Sequence, residues 1–130
     1  KSIGLTGFLI NEKFELLFQV KAEAGAIHKI LLYPTISTSK FNLDNQKVNF
    51  KEYFINPKLN NVIVNSIQSE EGGRFYKVLN KNMLVKTKNI LKIPENFIWL
   101  NFFQIYKIME LGYISIESRS ILGLIDFNEL

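Results

Sequence analysis

Apolar positions along the chain fall into short runs separated by polar gaps. Ile3 to Ile10 is apolar with glycines at 4 and 7, Asn11-Glu12-Lys13 is polar, and Phe14 to Val20 is apolar again. Two such runs around a short gap predict a β-hairpin. Within the second run Leu16, Phe18 and Val20 alternate with Leu17, Gln19 and Lys21, the period of a strand. Residues 22–28 read as a small-residue loop around Gly25, and Ile30 to Tyr33 as a further strand closed by Pro34. Residues 40–61 are polar, rich in Asn and Lys, and read as a connecting segment with room for a short helix from Asn49 to Phe54. Val62 to Ile67 reads as a strand. Gly72-Gly73 breaks it, and Phe75 to Leu79 and Met83 to Thr87 predict two more before Pro94 ends the β region.

After Pro94 the period changes. Trp99, Phe102, Phe103, Tyr106 and Met109 follow the i, i+3, i+4, i+7 spacing of an amphipathic helix, so Trp99, Phe103 and Tyr106 are expected to be buried together. Gly112 stands where a helix stop belongs, and Ser115 is placed to cap a second helix reaching Leu124. Strands first and a helical pair last predict an α+β fold, a mixed and mainly antiparallel sheet with C-terminal helices packed on it. The helical pair also has the outline of a DNA-binding helix-turn-helix. Its second helix, with Glu117 and Arg119, has no basic face, so packing on the sheet is the better reading.

Composition narrows the function classes. The chain has 130 residues, 47% of them hydrophobic, enough for one domain with an ordinary core. It contains no cysteine, which excludes disulfides and thiolate metal sites and fits a cytoplasmic protein. No apolar run approaches the ~18 residues that a membrane span needs. A net charge of +4 suits an anionic partner such as a phosphate. Only Arg74 and Arg119 are arginines, and the lysines are scattered singly rather than clustered as a nucleic-acid footprint requires. Lys1 directly precedes an apolar stretch, which leads us to expect a cut end there.

Three stretches are more specific. Gln19-Val-Lys-Ala-Glu-Ala-Gly25 is followed by Leu32-Tyr-Pro-Thr-Ile36. Gln68-Ser-Glu-Glu-Gly-Gly-Arg-Phe-Tyr76 is followed by Asn80-Lys-Asn-Met83. Trp99 and Gln104 precede Glu117-Ser-Arg-Ser-Ile-Leu122. In this order and spacing, over residues 4 to 125, the chain resembles the NDP-hexose 2,3-dehydratases. The resemblance implies a Nudix-like module. Residues 1–130 would be one partial module lacking its first strands, from enzymes that carry two such modules and form homodimers. The chain departs from the family pattern at four places. Ala24-Gly25-Ala26 replaces Pro-Gly-Asn, Ser37 replaces a Gln, Asp44 to Lys47 occupies the place of a His, and Glu71 replaces a second Gln. The lost Gln and His favour an alternative, a non-catalytic nucleotide-sugar-binding or dimerisation module.

The implied reaction is elimination of water from an NDP-linked 4-keto-6-deoxyhexose. The 4-ketone acidifies the C3 hydrogen, a base removes it, the 2-hydroxyl leaves as water, and the enol becomes a 3,4-diketo sugar. This demands a base, an acid, a donor at the 4-oxygen and partners for the diphosphate, and no redox cofactor or metal. The resemblance selects Glu70 as acid/base, because adjacent strand residues face opposite ways and only one of Glu70 and Glu71 reaches the same pocket. Glu23 is the second acid/base candidate. Arg74 is the diphosphate candidate, since its planar fork matches phosphate oxygens and Gly72 and Gly73 let backbone N–H groups approach an anion. An ion pair with Glu70 or Glu71 is the competing reading. Lys21, Gln68, Tyr76, Asn82 and Thr35 complete the expected substrate-binding set. His28 is a weaker candidate base. Arg119 is expected to clamp the last helix, and Trp99 to anchor the first in the core or stack on a base. The Gly, Glu and Arg-Glu-apolar-x-Glu-Glu pattern of metal-dependent Nudix hydrolases is absent, so that hydrolysis is set aside.

Overall fold

The structure, a computed structural model, describes residues 3–23, 29–71, 77–88 and 92–130. Seven strands form one mixed sheet, β1 (Ile3–Ile10), β2 (Glu15–Glu23), β3 (Lys29–Tyr33), β4 (Ile36–Thr38), β5 (Val62–Glu71), β6 (Lys77–Lys86) and β7 (Phe97–Asn101). Among the described residues four short α-helices accompany them, α1 (Lys40–Asn45), α2 (Glu52–Ile55), α3 (Phe102–Glu110) and α4 (Ile116–Leu122). The spatial order is β3-β2-β1-β6-β5, with β4 added to β1 and β7 to β2. Among the described residues β1 and β6 run parallel, and the other strand pairs are antiparallel.

Both faces of the sheet are covered, and this explains why its central strands read as continuous apolar runs. Phe8 and Ile10 of β1, Leu16 and Phe18 of β2, and Leu84 of β6 pack with Ile105 of α3 and Ile121 of α4. The alternate residues Leu5, Leu9, Leu17, Met83 and Val85 pack with Phe54 of α2 on the opposite face. Gly7 makes that second contact possible: a Cβ there would lie 2.4 Å from a ring carbon of Phe54.

β1 and β2 are joined by a turn that Asn11 builds almost alone. Its side-chain oxygen accepts from the N–H groups of Lys13 (3.0 Å) and Glu15 (2.9 Å). Its carbonyl accepts from Phe14, which takes a positive φ of 59° to close the loop. From Ile10↔Leu16 the two strands part. β3 pairs with the far half of β2, and β4 with the near half of β1. Thr35, between β3 and β4, sits in the fork. Its hydroxyl donates to Leu17 O (2.6 Å) and accepts from Leu9 N (2.9 Å), replacing the ladder bond that β1 and β2 no longer make.

Several expectations are corrected. The β region does not end at Pro94: Phe97–Asn101 is a strand paired with Glu15–Gln19 of β2, and Trp99 belongs to it rather than to the helix. Asn101 then starts α3 through a capping box, its side chain accepting from Gln104 N (2.8 Å) while Gln104 Oε1 accepts from Asn101 N (2.9 Å). With its phase set there, α3 turns Ile105, Ile108 and Met109 to the core. Phe103 and Tyr106 are 71% and 53% exposed, so these two members of the stripe read from the sequence lie on the outer face, while Phe102 and Met109 pack against the core. Met83 to Thr87 is not a separate strand but the end of the continuous β6, and α1 and β4 were not foreseen. Ser115 caps α4 as expected, accepting from Ser118 N (3.1 Å). Arg119 is exposed and, among the described residues, does not clamp this helix. Ser118, fully buried, does so by donating to Leu32 O of β3 (3.1 Å), which also accepts from Ser115 N (3.0 Å).

Candidate functional site

Strand directions gather the first two distinctive stretches at one end of the sheet. β1 and β6 begin there, while β2, β4 and β5 end there. Lys21 and Glu23 of the first stretch, Thr38 after the Pro34-Thr35 corner, and Gln68 to Glu71 and Lys77 to Asn82 of the second therefore share this end. Two clefts open beside it, one on each face of β4.

The first cleft, about 320 Å³, lies between β2, β4 and the α1 segment. Gln19 and Lys21 continue the face that carries Leu17, so the alternation of β2 leads from core into cleft. Lys21 holds its ammonium 5.0 Å from the centroid of the Tyr33 ring, a cation–π contact that keeps the charge near the cleft. Opposite stand Asn42, Gln46, Lys47 and Asn49. Among the described residues Lys21 and Lys47 are the charged ones of the lining, which is otherwise amide, hydroxyl and apolar groups with no carboxylate. Such a lining favours an anion with many hydrogen-bonding groups.

The second cleft, about 370 Å³, lies on the α4 side and is lined by Thr6, Ser37, Thr38, Ser39, Asn80, Ile116, Glu117 and Ser120. Its floor is a polar row across adjacent strands. Asn80 Nδ2 donates to Thr6 Oγ1 (3.1 Å) and to Asn82 Oδ1 (2.9 Å). A larger hollow of about 580 Å³, lined by Glu52, Tyr53, Lys58 and Lys86 among others, lies at the opposite end of the sheet and holds none of the distinctive residues. Size is therefore a poor guide here, and the position of the motifs is the better one.

The expected site residues distribute as follows. Lys21 and Thr35 line the first cleft together, with the hydroxyl proton of Thr35 already committed to Leu17 O. Asn82 is 1% exposed in the row beneath the second cleft, so it holds Asn80 rather than facing solvent. Gln68 and Glu70 occupy β5 opposite Asn80 and Val78, and Glu23 occupies β2 opposite Lys29. Arg74, Gly72, Gly73, Tyr76 and His28 lie outside the described residues. Trp99 is half-buried among the residues of the α2 face and lines neither cleft, although Phe97 of the same strand borders the first.

Sequence reasoning missed Asn42, Gln46, Lys47 and Asn49, because α1 has six residues, too few to show a period. Its one legible signal was Ser39 three residues before Asn42, whose N–H the Ser39 hydroxyl caps at 3.2 Å. Asn80 and Glu117 were visible inside distinctive stretches without a role. Among the described residues no group of three His, Asp or Glu is placed to hold a metal ion, and no helix is long and apolar enough to cross a membrane.

Comparison with known proteins bears on both fold and family. Residues 1–125 match the family model described as NDP-hexose 2,3-dehydratase. Among individual proteins, a dTDP-4-dehydro-6-deoxy-alpha-D-glucopyranose 2,3-dehydratase of Amycolatopsis orientalis is 31% identical over 98% of this chain. Enzymes of the same name from Saccharopolyspora spinosa and Streptomyces violaceoruber are 25% and 26% identical. The chain spans 29% of the length of the first of these relatives, and as little of the others. Among solved structures, the C-terminal domain of mouse MUTYH, in complex with human PCNA, superposes with a TM-score of 0.57 at 8% identity. The superposition covers 95% of this chain and 86% of that one. That likeness concerns the fold alone, which is Nudix-like, as the resemblance implied.

Proposed function

Because the chain belongs to the NDP-hexose 2,3-dehydratase family, we propose that it is a module that binds an NDP-linked 4-keto-6-deoxyhexose for elimination of water across C2–C3. The observation that carries this reading is the gathering of the first two family-like stretches at the forked end of the sheet, beside a cleft whose charges, among the described residues, are Lys21 and Lys47. The relatives named above act, by their names, on a dTDP-linked 4-dehydro-6-deoxyglucose. In this reading Arg74, with Gly72 and Gly73, and Lys21 meet the diphosphate. Gln68, Tyr76 and Asn82 shape the site around the sugar, and Thr35 borders the cleft with Lys21. Glu70 removes the C3 proton, and Glu23 protonates the departing 2-hydroxyl, so that one proton leaves carbon and one water leaves the sugar.

A second reading, a non-catalytic nucleotide-sugar-binding module, is favoured by Ser37 in the first cleft where the family pattern has Gln. Incubating the chain with dTDP-4-keto-6-deoxyglucose and following loss of one water by mass separates the two. Loss of water supports catalysis, and binding without it supports the second reading. Calorimetric titration with dTDP tests the shared part. A charge-assisted contact is worth about 1.5–3 kcal/mol, so Arg74→Ala should weaken binding roughly ten- to a hundredfold. Arg74→Lys should recover part of this, because a point charge does not reproduce the fork. Equal affinity of wild type and Arg74→Ala would make Arg74 structural. A cytoplasmic homodimer is part of the proposal on the same family resemblance, and light scattering on the purified chain checks the oligomeric state.

A further inference from the structure

We propose that the second cleft, on the α4 side of β4, receives the hexose of the nucleotide sugar, with Asn80 and Glu117 as its hydrogen-bond acceptors. This rests on the nucleotide-sugar reading above and assigns its two halves to two clefts. The linings differ in kind. Among the described residues the first carries two lysines and no carboxylate, and in the second Glu117 is the one charged residue among hydroxyls, an amide and Ile116. An anion is repelled from the second cleft, and one carboxylate is too little for a divalent cation. A neutral ligand rich in hydroxyl donors fits.

The acceptor on the floor is held in place. Asn80 spends its Nδ2 on Thr6 Oγ1 and Asn82 Oδ1, which fixes the amide so that Oδ1 is the atom left for a ligand. Gly4 leaves the space for that oxygen, since a Cβ there would lie 2.7 Å from it. At the rim Ile116 is 78% exposed, an apolar surface for the C–H face and methyl group of a 6-deoxyhexose. Ser37 and Thr38 line both clefts, so the two are contiguous around β4. β4 has three residues and, among the described residues, pairs only with β1. A diphosphate in the first cleft thus has its sugar within reach of the second.

The test compares dTDP with dTDP-glucose on the isotope-labelled chain. Both ligands should shift the amide signals of Lys21 and of residues 42–49. Only dTDP-glucose should also shift the side-chain amide of Asn80 and the backbone signals of Glu117 and Ser120. Ser120→Phe, which fills the cleft from an exposed position, should raise the Kd for dTDP-glucose relative to that for dTDP by about fivefold or more. Glu117→Gln should move the same ratio in the same direction. Shifts from dTDP-glucose confined to the first cleft, or a ratio unchanged in both variants, would overturn the hexose assignment while leaving the nucleotide reading intact. Absence of any shift with either ligand would remove the nucleotide-sugar reading, and this inference with it.

Discussion

At the end of the sheet where β1 turns into β2, the polar groups serve the fold. Asn11 satisfies two backbone N–H groups with its side-chain oxygen, donates to Glu15 Oε1 (2.9 Å), and closes the turn with its own backbone. Everything it needs lies within four residues. At the other end the same two strands have parted, and the gap is held by Thr35, 18 residues beyond Leu17 and 26 beyond Leu9. Beyond Thr35 the polar side chains of Gln19, Lys21, Ser37 and Asn80 border open clefts instead of closing turns. A sheet zipped to its end leaves no such concavity, so the fork is what turns strand residues into a binding surface.

The first way to probe this contrast is to remove something both ends share. Phe8 is fully buried and meets Phe18 edge-on with ring centroids 4.7 Å apart. Phe8→Ala should cost about 3–5 kcal/mol in chemical denaturation. A loss below about 1 kcal/mol would mean that the two ends are not joined by one core.

Thr35→Val removes the pin and keeps the volume. It leaves Leu9 N–H and Leu17 C=O without their buried partner, at about 1–3 kcal/mol in total. Hydrogen exchange should accelerate at Leu9, while the Asn11 turn keeps its protection. Thr35→Ser should restore most of the stability because the hydroxyl returns. Uniform acceleration at both ends would show that the fork is not a separate unit.

Asn11→Ala is the matching change at the closed end. Two side-chain acceptor bonds to backbone are lost at a surface turn, which should cost about 1 kcal/mol and leave dTDP affinity unchanged. A fall in affinity would link the turn to the site. Lys21→Met should have the smallest effect on stability, within about 0.5 kcal/mol, because Met keeps the apolar stem against Tyr33. Its effect should appear in dTDP titration instead, as an affinity loss of about fivefold. The reverse pattern, stability lost and affinity kept, would make Lys21 part of the fold.

Much of this architecture was legible in the chain, and the failures have a common cause. The β1–β2 hairpin, β3, the start of β5, the stop at Gly112 and the Ser115 cap follow from local patterns, and they stand close to where those patterns put them. The α3 face was misread because residues 102, 103, 105, 106, 108 and 109 are all apolar, so two stripes satisfy the helical period. The capping box at Asn101 selects between them, and Ile105 faces in while Phe103 faces out. β7 was missed because its pairing with β2 spans some 80 residues and leaves no local mark beyond a short apolar run. Among the site residues, Lys21 was legible from motif and alternation. Lys47 and Glu117 were not, because their place depends on how a six-residue helix and a seven-residue helix seat against β4.

The sequence by itself determined the strand runs, the turn and cap residues, and the three stretches that mark the family, since each depends on neighbours a few residues apart. Tertiary structure alone decided which alternate residues of β1, β2 and β6 belong to which core, that β1 and β6 lie parallel, and that β1 and β2 part around Thr35. A strand covered on both faces is apolar at every position, so its own pattern states neither its partner nor its orientation. Those follow only when the helices close over the sheet and each side chain must find room in one core or the other.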